Sequence, residues 1–211
     1  MKKILLPALL GAALLASPVA FAQKAVKKSV AAAAVVVYKL QPQLSVLGWE
    51  GKALTHGHNG TIQFTGGDLQ VRNNMVVGGT ATVDMKTLKA TDITDADSQG
   101  KFVGHMSSED FFETATYPTS TFVITSVTPI AGATGTANNA TITGNATIHG
   151  KTQVITFPAI VGVKNGVASA SGKFTIDRSK FNIGAKSMFN IGDKAINNEF
   201  TLTFNVIAKN S

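Results

Sequence analysis

Cysteine is absent from the 211 residues, which excludes disulfide frameworks, thiolate nucleophiles and Cys-ligated zinc or iron-sulfur centres. The fold must then be held by its core alone. Acidic side chains are scarce: 12 Asp and Glu stand against 19 Lys and Arg, a formal charge of +7. Apart from Lys24, Lys27 and Lys28, that excess is scattered, without the clustering or aromatic interleaving of a nucleic-acid surface. No nucleic-acid partner is expected; transient contact with an anionic membrane is the electrostatic alternative to plain solvation. Also missing are the H-E-x-x-H, G-x-S-x-G and glycine-rich phosphate-loop signatures, so no catalytic residue is expected. Nor does an apolar run reach the roughly 20 residues that span a bilayer. The longest, Ile4 to Leu15, is broken by Pro7 and Gly11, preceded by Lys2 and Lys3 and followed by Ala20-Phe21-Ala22. A positive n-region, a short apolar core and an A-x-A site read as a secretory signal peptide over residues 1–22. The expected product is periplasmic, with extracellular release as the other destination. It would carry a flexible basic tail over 23–33 and a single domain over 34–211.

What is present is alternation. In "TATVDMK", Ala81, Val83 and Met85 share one face and Thr82, Asp84 and Lys86 the other. "ATITGNATIH", "ASASGKFTID" and "FTLTFNVIA" repeat the pattern. Such period-two segments read as half-buried antiparallel strands. Further strands are expected over 35–41, 44–54, 60–65, 68–72, 121–128 and 153–163. Turn chemistry separates them at Gly66-Gly67, Asn73-Asn74, Asn138-Asn139, His149-Gly150 and Asn165-Gly166. Eight to ten strands with hairpin connections and little helix fit an up-and-down barrel or a sandwich. The apolar faces carry many small residues, among them Ala81, Ala140, Gly144, Ala146, Ala170 and Gly172. Either they leave a barrel hollow for a small ligand, or large neighbours such as Phe64, Phe174, Phe200 and Phe204 fill the space. The pattern leaves both readings open.

Residues 92–118, "DITDADSQGKFVGHMSSEDFFETATYP", break the alternation. Ser107 or Ser108 followed by Glu109 and Asp110 predicts an N-cap and a short helix over 109–113, with another before it around 95–103. Pro118 then turns the chain back into a strand. "DADSQG" imitates the start of a calcium loop, but Met106 stands where a bidentate Glu is required. His56 and His58, at i and i+2, face one side of an extended chain and could join His105 or His149 around a metal. Four histidines in a chain of this length are no signal by themselves, and no metal site is expected. Asp177-Arg178 suggests an ion pair, a turn anchor or a phosphate contact.

"HMSSEDFFETATYPTSTFVITSV" resembles the opening motif of the bacterial YceI-like family, the polyisoprenoid-binding, lipocalin-like proteins, with Ser108, Asp110, Phe111, Phe112, Tyr117, Pro118 and Phe122 in the corresponding places. "ITGNATIHGKTQVITFP", "FTIDRSKFNIG" and "IGDKAINNEFTLTFNVIA" extend the likeness over about residues 36–209, and "LGWEGKALTHGHNG" resembles one branch of the family. His105-Met106, where His-Leu is usual, and Asn197-Asn198, where an acid is common, depart from the pattern. The resemblance implies an all-β chain: an extended antiparallel lipocalin-like barrel of about eight strands with a short helical excursion near 92–118. It further implies an apolar channel accepting an isoprenoid chain such as a quinone tail or polyprenyl lipid, with no other cofactor. Channel walls are then expected from Trp49, Phe64, Val83, Phe111, Phe112, Phe122, Ile142, Phe174, Phe200 and Phe204. Headgroup contacts are expected from Lys52, His56, His58 and Arg178. The protein would be a noncatalytic carrier, with a homodimer allowed by the family's habit. Two alternatives stand beside it: an enzyme using the same channel on a quinone or lipid-like substrate, and a ligand-free stress-response module.

Overall fold

The computed structural model describes residues 33–186 and 196–210. The expected signal peptide, and the basic tail as far as residue 32, lie outside the described residues. The strands are β1 (Val36–Leu40), β2 (Val46–Ala53), β3 (Gly57–Arg72), β4 (Met75–Ala90), β5 (Thr119–Pro129), β6 (Ala140–Ile148), β7 (Lys151–Lys164), β8 (Val167–Asp177) and β9 (Ile196–Asn210). One α-helix is found among the described residues, α1 (Ala96–Ser107), between β4 and β5.

Each strand from β3 to β9 pairs antiparallel with the next. The sheet closes through β2, which pairs with both β3 and β9. A short 3-10 turn at Pro42–Leu44 separates β2 from β1, which continues the same stave by pairing with the distal parts of β3 and β9. The result is a closed antiparallel barrel with eight stave positions, so edges are removed and one face of every strand looks into the lumen.

Three of the expected hairpin turns are two-residue connections. Asn73-Asn74, His149-Gly150 and Asn165-Gly166 all take positive φ, between 50° and 73°, as the twist of paired strands requires. Of the other two, one is corrected and one belongs to a longer connection between β5 and β6. Gly66-Gly67 lies inside the continuous 16-residue β3, where the register against β4 shifts. Gly67 has φ +138°, and a Cβ there would stand 2.2 Å from the Thr80 carbonyl oxygen, so this glycine permits close strand contact at a bulge rather than a reversal. Asn138-Asn139 ends a longer loop. Its Asn139 side chain latches onto β7, donating to Val161 O and accepting from Val161 N, both at 2.8 Å.

The excursion also differs from expectation. α1 starts where Asp95 Oδ1 accepts from the Ser98 N–H at 2.8 Å, so the helix expected at 95–103 extends to Ser107. No helix follows at 109–113. Ser108 ends α1, donating its hydroxyl to His105 O at 2.8 Å, and the chain then turns with Glu113 N bonded to Ser108 O and Glu113 at φ 48°. Adjacent helical residues diverge by about 100°, whereas the turn lets Phe111 and Phe112 both bury, with centroids 5.2 Å apart.

Candidate functional site

The lumen holds two chambers that share part of their walls. A wide chamber of about 370 Å³ lies under α1 and the Phe111–Phe112 turn. A narrow chamber of about 130 Å³ lies deeper, with an apolar exposed wall throughout. Leu47, Val83, Ser120, Ile148 and Leu202 line both and form the waist between them. Several large side chains that point inward, including Phe122, Phe174, Phe200 and Phe204, are only half-buried although they face away from solvent-side strand positions. A filled core would have buried them fully.

The small residues and the large ones are not alternatives here, because each serves the other. A Cβ on Gly144 would stand 2.4 Å from Phe122 Cζ, and one on Gly172 2.9 Å from Phe204 Cε1. Glycines on β6 and β8 thus admit rings from β5 and β9, and space still remains.

The expected channel residues divide by depth. Trp49, Phe111, Phe112 and Phe200 line the wide chamber; Phe64, Phe122, Ile142, Phe174 and Phe204 line the narrow one, with Val83 at the waist. Lys52, His56, His58 and Arg178 all reach the wide chamber, so polar side chains gather at one end of an otherwise apolar lumen. Phe157, Phe102 and Ser120 were not singled out from sequence. Phe157 sits among alternating residues of β7 that give no ring special weight. Phe102 depends on how α1 lies over the barrel, which no local pattern states. Ser120 is buried at the waist, and its hydroxyl finds no partner among the described residues.

The cover is built from α1 outward. Phe102 stacks on Trp49 at 6.0 Å and tilts against His58 at 4.6 Å, while Gln99 Nε2 donates to Ala90 O and Ile93 O, tying the helix to the end of β4. His58 Nδ1 lies 2.7 Å from Asp92 Oδ2, and the Asn59 N–H donates to Asp92 Oδ1 at 3.1 Å. Burial pushes the Asp92 carboxyl up, but the bonds from His58, Asn59 and its own backbone together outweigh it and hold the group below its ordinary value. His56 and His58 face each other at 5.5 Å. His149 is elsewhere, against Tyr117 and 3.4 Å from Glu113 Oε2. No group of three or more His, Cys, Asp or Glu side chains that could hold a metal occurs among the described residues.

Arg178 is a strap. Nε donates to Asn197 O at 3.1 Å, Nη1 to Ile183 O at 2.9 Å and Nη2 to Ile196 O at 3.0 Å. Asp177 turns away and accepts from Ser179 N and Oγ, so it anchors a turn beside a guanidinium that donates to backbone carbonyls. Lys52 is largely exposed and paired with Glu50 at 3.1 Å, a surface contact of small energy.

A family model described as the YceI-like domain matches residues 38–208. Among solved structures, BcnA from Burkholderia cenocepacia is similar at 22% identity, covering 81% of this chain and 99% of its own, with TM-score 0.63. A polyisoprenoid binding domain from Saccharophagus degradans, implicated in plant cell wall breakdown, is similar at 18% identity, 83% and 99% coverage and TM-score 0.59. The Campylobacter jejuni YCEI protein follows at 20%, 65% and 74%, with TM-score 0.50. At these identities the likeness concerns the fold. No curated protein matches the chain.

Proposed function

The chain belongs to the YceI-like domain family, and from that premise we propose that it is a noncatalytic periplasmic carrier whose barrel shields an amphiphilic isoprenoid-type lipid, a quinone or prenyl chain, from water. The observation that carries the reading is the lumen's polarity gradient: an apolar narrow chamber, and a wide chamber under α1 where Lys52, His56 and His58 collect. In this orientation the tail lies inward and the headgroup under α1. The driving force is apolar surface removed from water, at about 25 cal/mol per Å². The Saccharophagus degradans relative, described as polyisoprenoid binding, supports the same ligand class.

Native mass spectrometry of protein taken from its own periplasm, followed by organic extraction, tests the proposal. A stoichiometric isoprenoid adduct is the expected result. Protein that arrives bare and takes up neither quinones nor prenyl lipids in vitro would overturn it.

A further inference from the structure

Four rings crowd into the wall of the narrow chamber. Phe157 of β7 stacks on Phe174 of β8 with centroids 4.1 Å apart and planes 8° apart. Phe122 of β5 lies 5.6 Å from Phe157, and Phe204 of β9 lies 5.5 Å from it. Phe157 is therefore the hub of the cluster. Gly144 and Gly172 hold the flanking rings in place by leaving them no Cβ to clear, since Phe122 and Phe204 sit where those atoms would be. Toward the turn that joins β3 to β4, Leu40, Val71 and Val76 are buried.

The narrow chamber is what these rings leave, about 130 Å³. An apolar cavity of about 150 Å³ accepts one benzene molecule, so roughly one five-carbon isoprene unit fits here. By the same comparison the wide chamber, about 370 Å³, takes roughly two such units or one unit and a small head. A longer tail must unstack the cluster or leave its head outside the cover.

We propose that the Phe122–Phe157–Phe174–Phe204 cluster is a chain-length ruler, which sets the end of the tail's path and makes this barrel selective for prenyl amphiphiles of about three isoprene units over long polyprenyl chains. The proposal rests on the carrier reading above and narrows its substrate. A hub ring within van der Waals reach of three others is the specificity-determining residue, because its removal merges the narrow chamber with the space that it fills.

The test uses the chain's single tryptophan, which lines the wide chamber, as the reporter. Emission is titrated with geraniol, farnesol, geranylgeraniol and a long polyprenol in wild type, F157A, the milder F157L, and V154A as a control at an exposed position of β7 that lines neither chamber. In wild type, affinity rises to farnesol and then levels or falls. In F157A the break moves one prenyl unit longer and geranylgeraniol gains about tenfold over wild type, F157L moves it less, and V154A leaves it in place. An unbroken rise in wild type, a break unmoved by both Phe157 variants, or one moved equally by V154A overturns the ruler while leaving the carrier reading intact. Wild-type emission unresponsive to every prenyl alcohol overturns the carrier reading and the ruler with it.

Discussion

Gly144 and Gly172 both make room for a phenylalanine, yet the room differs in kind. A Cβ at Gly144 would meet Phe122 at 2.4 Å and also the Val123 carbonyl oxygen at 2.6 Å, so yielding requires the backbone of β5 to shift. At Gly172 the neighbours are the outer edge of Phe204, at 2.9 and 3.1 Å, which a small ring movement clears, and Pro158 O at 3.1 Å, which must give by only a few tenths of an ångström. Gly144→Ala should therefore cost about 1–3 kcal/mol and Gly172→Ala distinctly less; urea midpoints of the two variants decide it, and equal losses would contradict the distinction. Asp92 supports a prediction about pH. Its carboxyl is held below the ordinary value in the folded protein, so the stability that it contributes is present above the unfolded value, near pH 4, and is lost as pH falls through the lower folded value. Asp92→Asn abolishes that titration. Wild type should exceed the variant at pH 6 and lose the advantage progressively below about pH 4, and parallel stability curves would refute the assignment.

At the scale of elements, α1 is held without a buried side chain of its own. Its anchors are the Asp95 cap, the Gln99 bonds to the end of β4 and the Phe102 ring over Trp49. Asp95→Ala should cost the helix about 1 kcal/mol, raise amide exchange over 96–107 and shift Trp49 emission as the ring above it loosens. Exchange confined to residue 98 would instead mean that packing alone holds the helix. The strands were legible because period-two alternation and the Asn-Asn, His-Gly and Asn-Gly pairs are local signals, satisfied by the same residues that supply them. Gly66-Gly67 misled because the same freedom serves a turn and a bulge, and only the partner strand, with Thr80 O against Gly67, distinguishes them. The helix expected at 109–113 failed for a similar reason. Ser108 carries the chemistry of a cap at either end, and burial of two consecutive phenylalanines in one chamber favours the turn. Of the candidate site, the inward residues followed from alternation and family likeness together. The bonds from Arg178 to the carbonyls of Ile183, Ile196 and Asn197, and the hub position of Phe157, depend on contacts that no local pattern states.

For the molecule as a whole, closure of the sheet and a hollow interior have opposed energetic effects. Closing the barrel through β2 pairs the staves on both sides, but two chambers leave inward rings only half-packed, and lost dispersion contacts weaken a fold that has no disulfide to compensate. A ligand that fills the chambers restores those contacts in the folded state alone, so stabilisation follows from mass action. At a free ligand concentration of 100 times Kd the gain is about 2.7 kcal/mol, which for a domain of this size raises Tm by about 5 to 10 °C. Farnesol added to verified delipidated protein should produce that shift, and Phe157→Ala should lower the Tm of the bare protein while keeping a farnesol-dependent rise. Two controls locate the effect: a short-chain alcohol at equal concentration, too small to span the waist at Leu47 and Leu202, should move Tm little, and the shift should grow with the logarithm of farnesol concentration. A Tm indifferent to farnesol across that range would mean that the chambers do not bind it and that the barrel's stability is complete without cargo.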